Sequence, residues 1–185
     1  MGISLNWDSS SVAKCSHFPE EMIGMTDYQQ KKEYTCSVHR ITFSFCSPIL
    51  DGFTATCLKP EHVDLIVQAW PWSSFFSDCR EWVTEMIDLF PSVCILDSNG
   101  DPATWILQQE YGTIGMLEVV QKYRRTKLGS AATMLLAQRL YEDNYNVYSI
   151  VSVDNTASLA FHERNRFEYV KDFTVGFVNY QSKGD

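Results

Sequence analysis

Gly115-Met-Leu-Glu-Val-Val-Gln-Lys-Tyr-Arg-Arg-Thr-Lys-Leu-Gly-Ser-Ala-Ala-Thr-Met-Leu-Leu-Ala137 begins as an apolar strand, passes through a cationic turn (Lys122, Arg124, Arg125, Lys127) and enters a helix at Gly129-Ser130. A helix start exposes backbone N–H groups that have no intrahelical acceptor, and its dipole adds partial positive charge. Joined to four cationic side chains, such a point attracts phosphate.

Working outward, the helix carries Leu128, Ala131, Ala132, Leu135, Leu136 and Leu140 on one stripe, with Gln138, Arg139 and Glu142 facing out. Val147 to Val153 follows as a β-branched strand, so strand, helix and strand imply a right-handed crossover between parallel strands. Asp154-Asn155-Thr156 offers an N-cap for a short helix with Leu159, Ala160 and Phe161. Phe167 to Tyr180 reads as one long or two short strands. Upstream, Val93–Leu96 and Ala103–Gln108 flank the turn formers 97–102 as a hairpin, and Thr113–Val120 makes a third strand. Strand alternation puts Thr113, Gly115 and Leu117 on one face and Glu118 on the other, unless a bulge intervenes. Two helices precede the hairpin: one opened by Lys59-Pro60-Glu61 and closed by Pro71, the next running from about Ser74 to Phe90 and closed by Pro91. Phe53–Leu58 is a short strand before them.

The expected class is therefore α/β (α+β), a mixed central sheet with helices on both faces in the order β-α-α-β-β-β-α-β-α-β-β. Residues 51–185 form the working domain. Residues 1–50 read as an N-terminal extension, partly ordered at most: 1–38 show no sustained period, and Arg40–Cys46 alternates like a strand until Pro48.

At 185 residues, 45% hydrophobic and 14% aromatic, the chain can bury one substantial core. Its net charge of -8 excludes a nucleic acid or an anionic membrane as the main partner, which makes the cationic turn a local, small-ligand feature. The six cysteines show no C-x-x-C pair and no zinc-type spacing, so reduced thiols without a metal are expected. No run reaches the ~20 apolar residues of a membrane span, and no secretory pattern opens the sequence.

Tyr123-Arg124-Arg125-Thr126-Lys127-Leu128-Gly129-Ser130-Ala131, followed by Val153-Asp154-Asn155-Thr156-Ala157-Ser158-Leu159-Ala160-Phe161-His162-Glu163, resembles the two central motifs of the GNAT superfamily of N-acyltransferases. Within it, Lys59-Pro60-Glu61-His62-Val63 through Trp70, Phe90 to Leu96 and Asp101-Pro102-Ala103-Thr104-Trp105 resemble the glycine N-acyltransferase-like family, over roughly residues 50–180. The resemblance implies the GNAT fold and acyl-CoA (acetyl-CoA or longer) as co-substrate, with no metal. It implies an acyl group passed to a small-molecule amine, glycine or another, by direct attack on the thioester. Acetylation of a peptide or other amine, and a non-catalytic acyl-CoA-binding module, are the alternative readings. The compartment is cytoplasmic, or mitochondrial by resemblance; the oligomeric state is open.

Residue by residue, the resemblance assigns the pyrophosphate to Arg124, Arg125, Thr126, Lys127, Leu128, Gly129, Ser130 and Ala131. Lys127 stands where the family has its first glycine, so either it accepts an unusual backbone conformation or the loop differs. The pantetheine arm is assigned to Leu117, Val119 and Val120, with the amide of Val119 or Val120 facing the oxyanion, and to Asn155, Ser158 and Phe161. His162 occupies the position of the family's tyrosine acid; a packing histidine is its other reading. Thr113 aligns with the glutamate base of glycine acyltransferases and cannot serve as one. Glu118 is the candidate base, followed by Glu110 or a water relay.

Overall fold

The computed structural model describes residues 13–14, 28–41, 49–75 and 78–182. In chain order its elements are β1 (Ala13–Lys14), β2 (Tyr28–Ile41), β3 (Thr54–Thr56), α1 (Val63–Ala69), α2 (Cys79–Leu89), β4 (Ser92–Leu96), β5 (Pro102–Gln108), β6 (Ile114–Val119), α3 (Leu128–Glu142), β7 (Val147–Ser152), α4 (Thr156–Arg164) and β8 (Glu168–Ser182). Short 3-10 turns at Pro60–His62, Ser73–Phe75 and Gln121–Tyr123 lead into the helices.

The strands form two sheets, β3-β4-β5-β6 and β1-β8-β2-β7. They meet where Thr113, just before β6, bridges Tyr148 of β7 in parallel. Past that point, among the described residues, β6 ladders only with β5, and β7 only with β2, so the two parallel strands part toward their C-terminal ends. The parting leaves main-chain groups of β6 facing an opening rather than a partner strand.

Helices cover both faces, as the apolar stripes require. On one face α3 buries Leu128, Ala132, Leu136 and Leu140, spaced by four, against Val93, Ile95, Ile106, Ile114 and Val147. On the other, Val63 and Ile66 of α1 and Val83 and Met86 of α2 close over Cys94, Trp105 and Leu107. β4 is therefore buried on both sides, which is why Val93-Cys94-Ile95 is apolar without alternation. The start of α1 is held by the Lys59 N–H donating to His62 Nδ1 at 3.0 Å.

β2 lies between β7 and β8, antiparallel to both, with Cys36, Val38 and Ile41 buried. Arg40 and Ile41, the start of the strand expected over Arg40–Cys46, belong to it; the rest of that expected strand lies outside the described residues. The C-terminal segment takes the first of its two forms, one long strand.

Candidate active site

The cationic turn is anchored before it reaches α3. Asp97, buried in the β4–β5 turn, accepts from Tyr123 Oη at 2.6 Å, from Lys122 Nζ at 3.1 Å, and from the amides of Asn99 and Asp101. The Tyr123 hydroxyl, with the help of Lys122 and the two amides, holds the Asp97 carboxyl far below the ordinary carboxylate range. Lys122 is thus engaged by a carboxylate of the protein itself. Arg125 and Lys127 are exposed, and no ion pair is recorded for them among the described residues.

Lys127 is the N-cap of α3 and sits in the left-handed region, φ 70 and ψ 3, with no side-chain cap. Arg125 shares the conformation at φ 68. The sequence left open an unusual backbone at Lys127 or a different loop, and this is the first of the two. The result is a 15-residue helix whose first amides, those of Leu128, Gly129 and Ser130, lack upstream carbonyls and a capping oxygen. Leu128 and Ala131 are core residues, so they offer a ligand main chain alone. Gly129 lets the elements close up: a Cβ there would lie 3.0 Å from Val119 Cγ2, 3.7 Å from Phe161 and 3.9 Å from Leu117. Four of the residues assigned to the donor thus meet at one point. Thr126 closes the turn through Oγ1 onto Tyr123 O at 2.6 Å.

Replacing Lys127 with Gly should raise stability by about 1 kcal/mol, because an L-residue in the left-handed region carries a penalty of about that size. Urea unfolding measures it; a fall in the midpoint would mean that the lysine side chain makes up for its backbone.

β6 contains a bulge. Leu107 opposes Gly115 and Trp105 opposes Glu118, so β6 has one residue more than β5 over this interval, and Met116 takes φ 53 to accommodate it. Directly opposed residues share a face, so Glu118 lies with Gly115 and Thr113 on the α1–α2 side. The simple alternation that separated them does not hold. Glu118 lines a cleft with Ile66, Ala69, Trp70, Pro71, Trp105, Met116 and Leu117. Trp70 stacks on Trp82 at 5.3 Å, and Trp82 Nε1 donates to Glu110 Oε1 at 3.2 Å. The other Glu110 oxygen and Thr113 Oγ1 are buried without a hydrogen-bond partner among the described residues.

Of the two amides named for the oxyanion, Val120 N–H donates to Ala103 O at 2.9 Å. Successive amides of a strand point to opposite edges, which directs Val119 N–H toward the opening beside β7.

On α4, Asn155 Oδ1 caps the helix by accepting the Ser158 N–H at 3.0 Å. His162 is 8% exposed: its Nδ1–H donates to Ser158 O at 2.8 Å, and Nε2 accepts from Ser149 Oγ at 2.8 Å. Its ring lies 5.4 Å from that of His39, whose Nε2 pairs with Ser37 Oγ at 2.8 Å. Both nitrogens of His162 are engaged inside the protein, and its proton points at its own helix. These are the contacts of a packing histidine, the second of its two readings. Nothing in the local sequence signalled the contact of His162 with Ser149 or with the His39 ring, because each joins two separate elements of the fold.

Burial pushes the imidazoles of His39, His62 and His162 below their ordinary value. A histidine kept neutral by the fold takes up a proton on unfolding, so these groups add stability above the ordinary pKa of about 6.5. That contribution is lost as pH falls from there toward the lower folded values. Unfolding at pH 6 should therefore be accompanied by net proton uptake, measured by running it in weakly buffered urea; release of protons would contradict the buried network. The stability that Asp97 contributes is fully present at this pH and is lost only as pH falls below the ordinary carboxylate range.

The thiols offer no nucleophile in the core. Burial pushes Cys36 and Cys94 up to about 11 and raises Cys79, which keeps them protonated at neutral pH. No helix among the described residues is long and apolar enough to cross a membrane.

The family model described as FR47-like protein matches residues 94–174, from β4 into β8. The glycine N-acyltransferase of Bos taurus is 27% identical over 103 residues, 56% of this chain and 35% of its own length. A glycine N-acyltransferase-like protein of Mus musculus is 30% identical over 99 residues, 52% of this chain and 32% of its own. The aligned region is thus about a third of the length of these relatives. Among solved structures, a Drosophila protein superposes with a TM-score of 0.74 at 17% identity, over 88% of this chain and 55% of that one. A putative GNAT-family acetyltransferase from Novosphingobium aromaticivorans gives 0.65 at 10% identity, over 86% and 69%. AAC(6')-Iy, in complex with the bisubstrate analogue CoA-S-monomethyl-acetylneamine, gives 0.52 at 14% identity, over 63% and 90%. At these identities the structural likeness concerns the fold, and the fold is that of the GNAT acetyltransferases.

Proposed function

We propose that this chain, which carries an FR47-like domain of the GNAT class, moves an acyl group from acyl-coenzyme A to the amino group of a small amine. The observation that carries the reading is the start of α3: an uncapped helix, flanked by the free cations Arg125 and Lys127, pressed through Gly129 against the end of β6 where the sheet parts. The diphosphate would sit on the amides of Leu128, Gly129 and Ser130, and the thioester would run along Leu117 to Val119. The Val119 amide would face the oxygen that becomes negative when the amine adds. Glu118, across the bulge in the cleft floored by Trp105, would take the proton of the attacking ammonium. The departing thiolate needs no dedicated acid, since an ordinary thiol has a pKa of about 8.5 and leaves readily near neutral pH.

Glycine or another amino acid is the acceptor that the curated relatives support. A cleft lined by Trp70, Pro71 and Trp105 also suits a compact amine better than a polypeptide. The test has two stages. Acetyl-coenzyme A and longer acyl thioesters should raise the melting temperature; no shift with any of them removes the donor site. Thiol release should then depend on an added amine, glycine included. Binding without release across an amine panel would leave a non-catalytic acyl-coenzyme A module, the reading favoured by Thr113 in place of a glutamate and by the internal engagement of His162.

A further inference from the structure

Arg124 stands at the head of the anion-binding turn, yet its guanidinium is occupied. Nε donates to Val119 O at 3.1 Å, and Nη2 to Glu118 Oε1 at 3.0 Å. One side chain therefore closes over both residues that the end of β6 contributes to the proposed reaction. A carboxylate oxygen engaged by a guanidinium is not free to accept a substrate proton. The engagement is also easily exchanged: a single N–H···O contact reaches Glu118, and the two side chains are 61% and 29% exposed. Pairs of that kind are weak in water. A diphosphate offers more charge and more acceptor oxygens to the same planar fork, which favours transfer of the arginine to it. Arg125 and Lys127 lie one and three residues further on, without ion pairs among the described residues, and supply the first attraction for such an anion.

We infer that Arg124 is a positioning residue that couples the two substrates: it restrains Glu118 in the donor-free protein and exchanges it for the diphosphate of the acyl donor. Glu118 is then released from the arginine toward the amine when the donor is in place. The inference rests on the acyl-donor reading above.

The test is a double-variant cycle read by calorimetric titration of coenzyme A into the full chain, with wild type, Glu118→Gln, Arg124→Ala and the double variant, each checked for an unchanged melting temperature. With Arg124 present, Glu118→Gln should tighten coenzyme A about two- to fivefold, because the arginine no longer has to leave a carboxylate. In the Arg124→Ala background the same change should do nothing. Equal tightening in both backgrounds would show a general charge effect and overturn the exchange, as would unchanged or weaker binding by Glu118→Gln. If wild type fails to bind coenzyme A at all, the donor reading falls and this inference with it; an exchange that fails while wild type binds leaves the donor site standing.

Discussion

Glu118→Gln is expected to lower kcat/KM for the amine about 10²- to 10⁴-fold, the range over which a positioned general base acts. The amide has the carboxylate's shape and can still accept from Arg124, so the variant should fold with the same melting temperature. It also keeps the donor site, so the loss should appear in turnover and not as weaker coenzyme A binding. The expectation depends on the bulge. Without the extra residue at Met116, Glu118 would sit on the α3 side, away from Trp105 and the cleft; with it, Trp105 and Glu118 are directly opposed. Met116 holds φ 53 to achieve this, a conformation that costs a non-glycine residue of order 1 kcal/mol and persists because the flanking ladder fixes it. Glu110→Gln is the control. Glu110 binds Trp82 through one oxygen and leaves the other buried without a partner among the described residues. If Glu110→Gln lost turnover while Glu118→Gln kept it, the base would move to the β5–β6 turn.

What the sequence disclosed follows the range of each interaction. Helix starts, turns and apolar stripes are local, and Pro60, Pro71, Pro91, the 97–102 turn and the stripe of α3 all stand where the residues put them. The sequence also offered an unusual backbone at Lys127 as one of two outcomes, the other being a different loop, and the left-handed Lys127 is the first of them. Three features were not legible. The bulge at Met116 is a matter of register between β5 and β6, and the residues of β6 taken alone read equally well as a plain alternating strand. β2 escaped because its order comes from two partners more than a hundred residues away; Thr35-Cys36-Ser37-Val38-His39 is too polar to announce a buried strand, and its Ser37 and His39 are buried with their side chains bonded to each other and, from Ser37, to Val151 O of β7. The pairing of Arg124 with Glu118 is likewise a meeting of side chains that sequence spacing leaves open.

The anion-binding half is tested most sharply by a substitution that separates binding from folding. Ser130 is the third residue of α3, and its amide is among those without an acceptor. A glutamate at that position suits a helix start: its charge meets the positive end of the dipole, and it can reach the free N–H groups. Ser130→Glu should therefore leave the melting temperature unchanged or raise it, while a carboxylate now sits where the diphosphate would bind. Two anions cannot share one set of donors, and their repulsion adds to the competition. Coenzyme A affinity should fall at least about tenfold, a penalty of about 1.4 kcal/mol or more, measured by calorimetric titration beside the thermal scan. The neutral Ser130→Gln keeps the size without the charge and should bind within about threefold of wild type, since no charge is added at the helix start. A Ser130→Glu protein that binds coenzyme A as wild type does would show that the start of α3 is not where the phosphates lie, and would send the search for the donor elsewhere along the parted edges of β6 and β7.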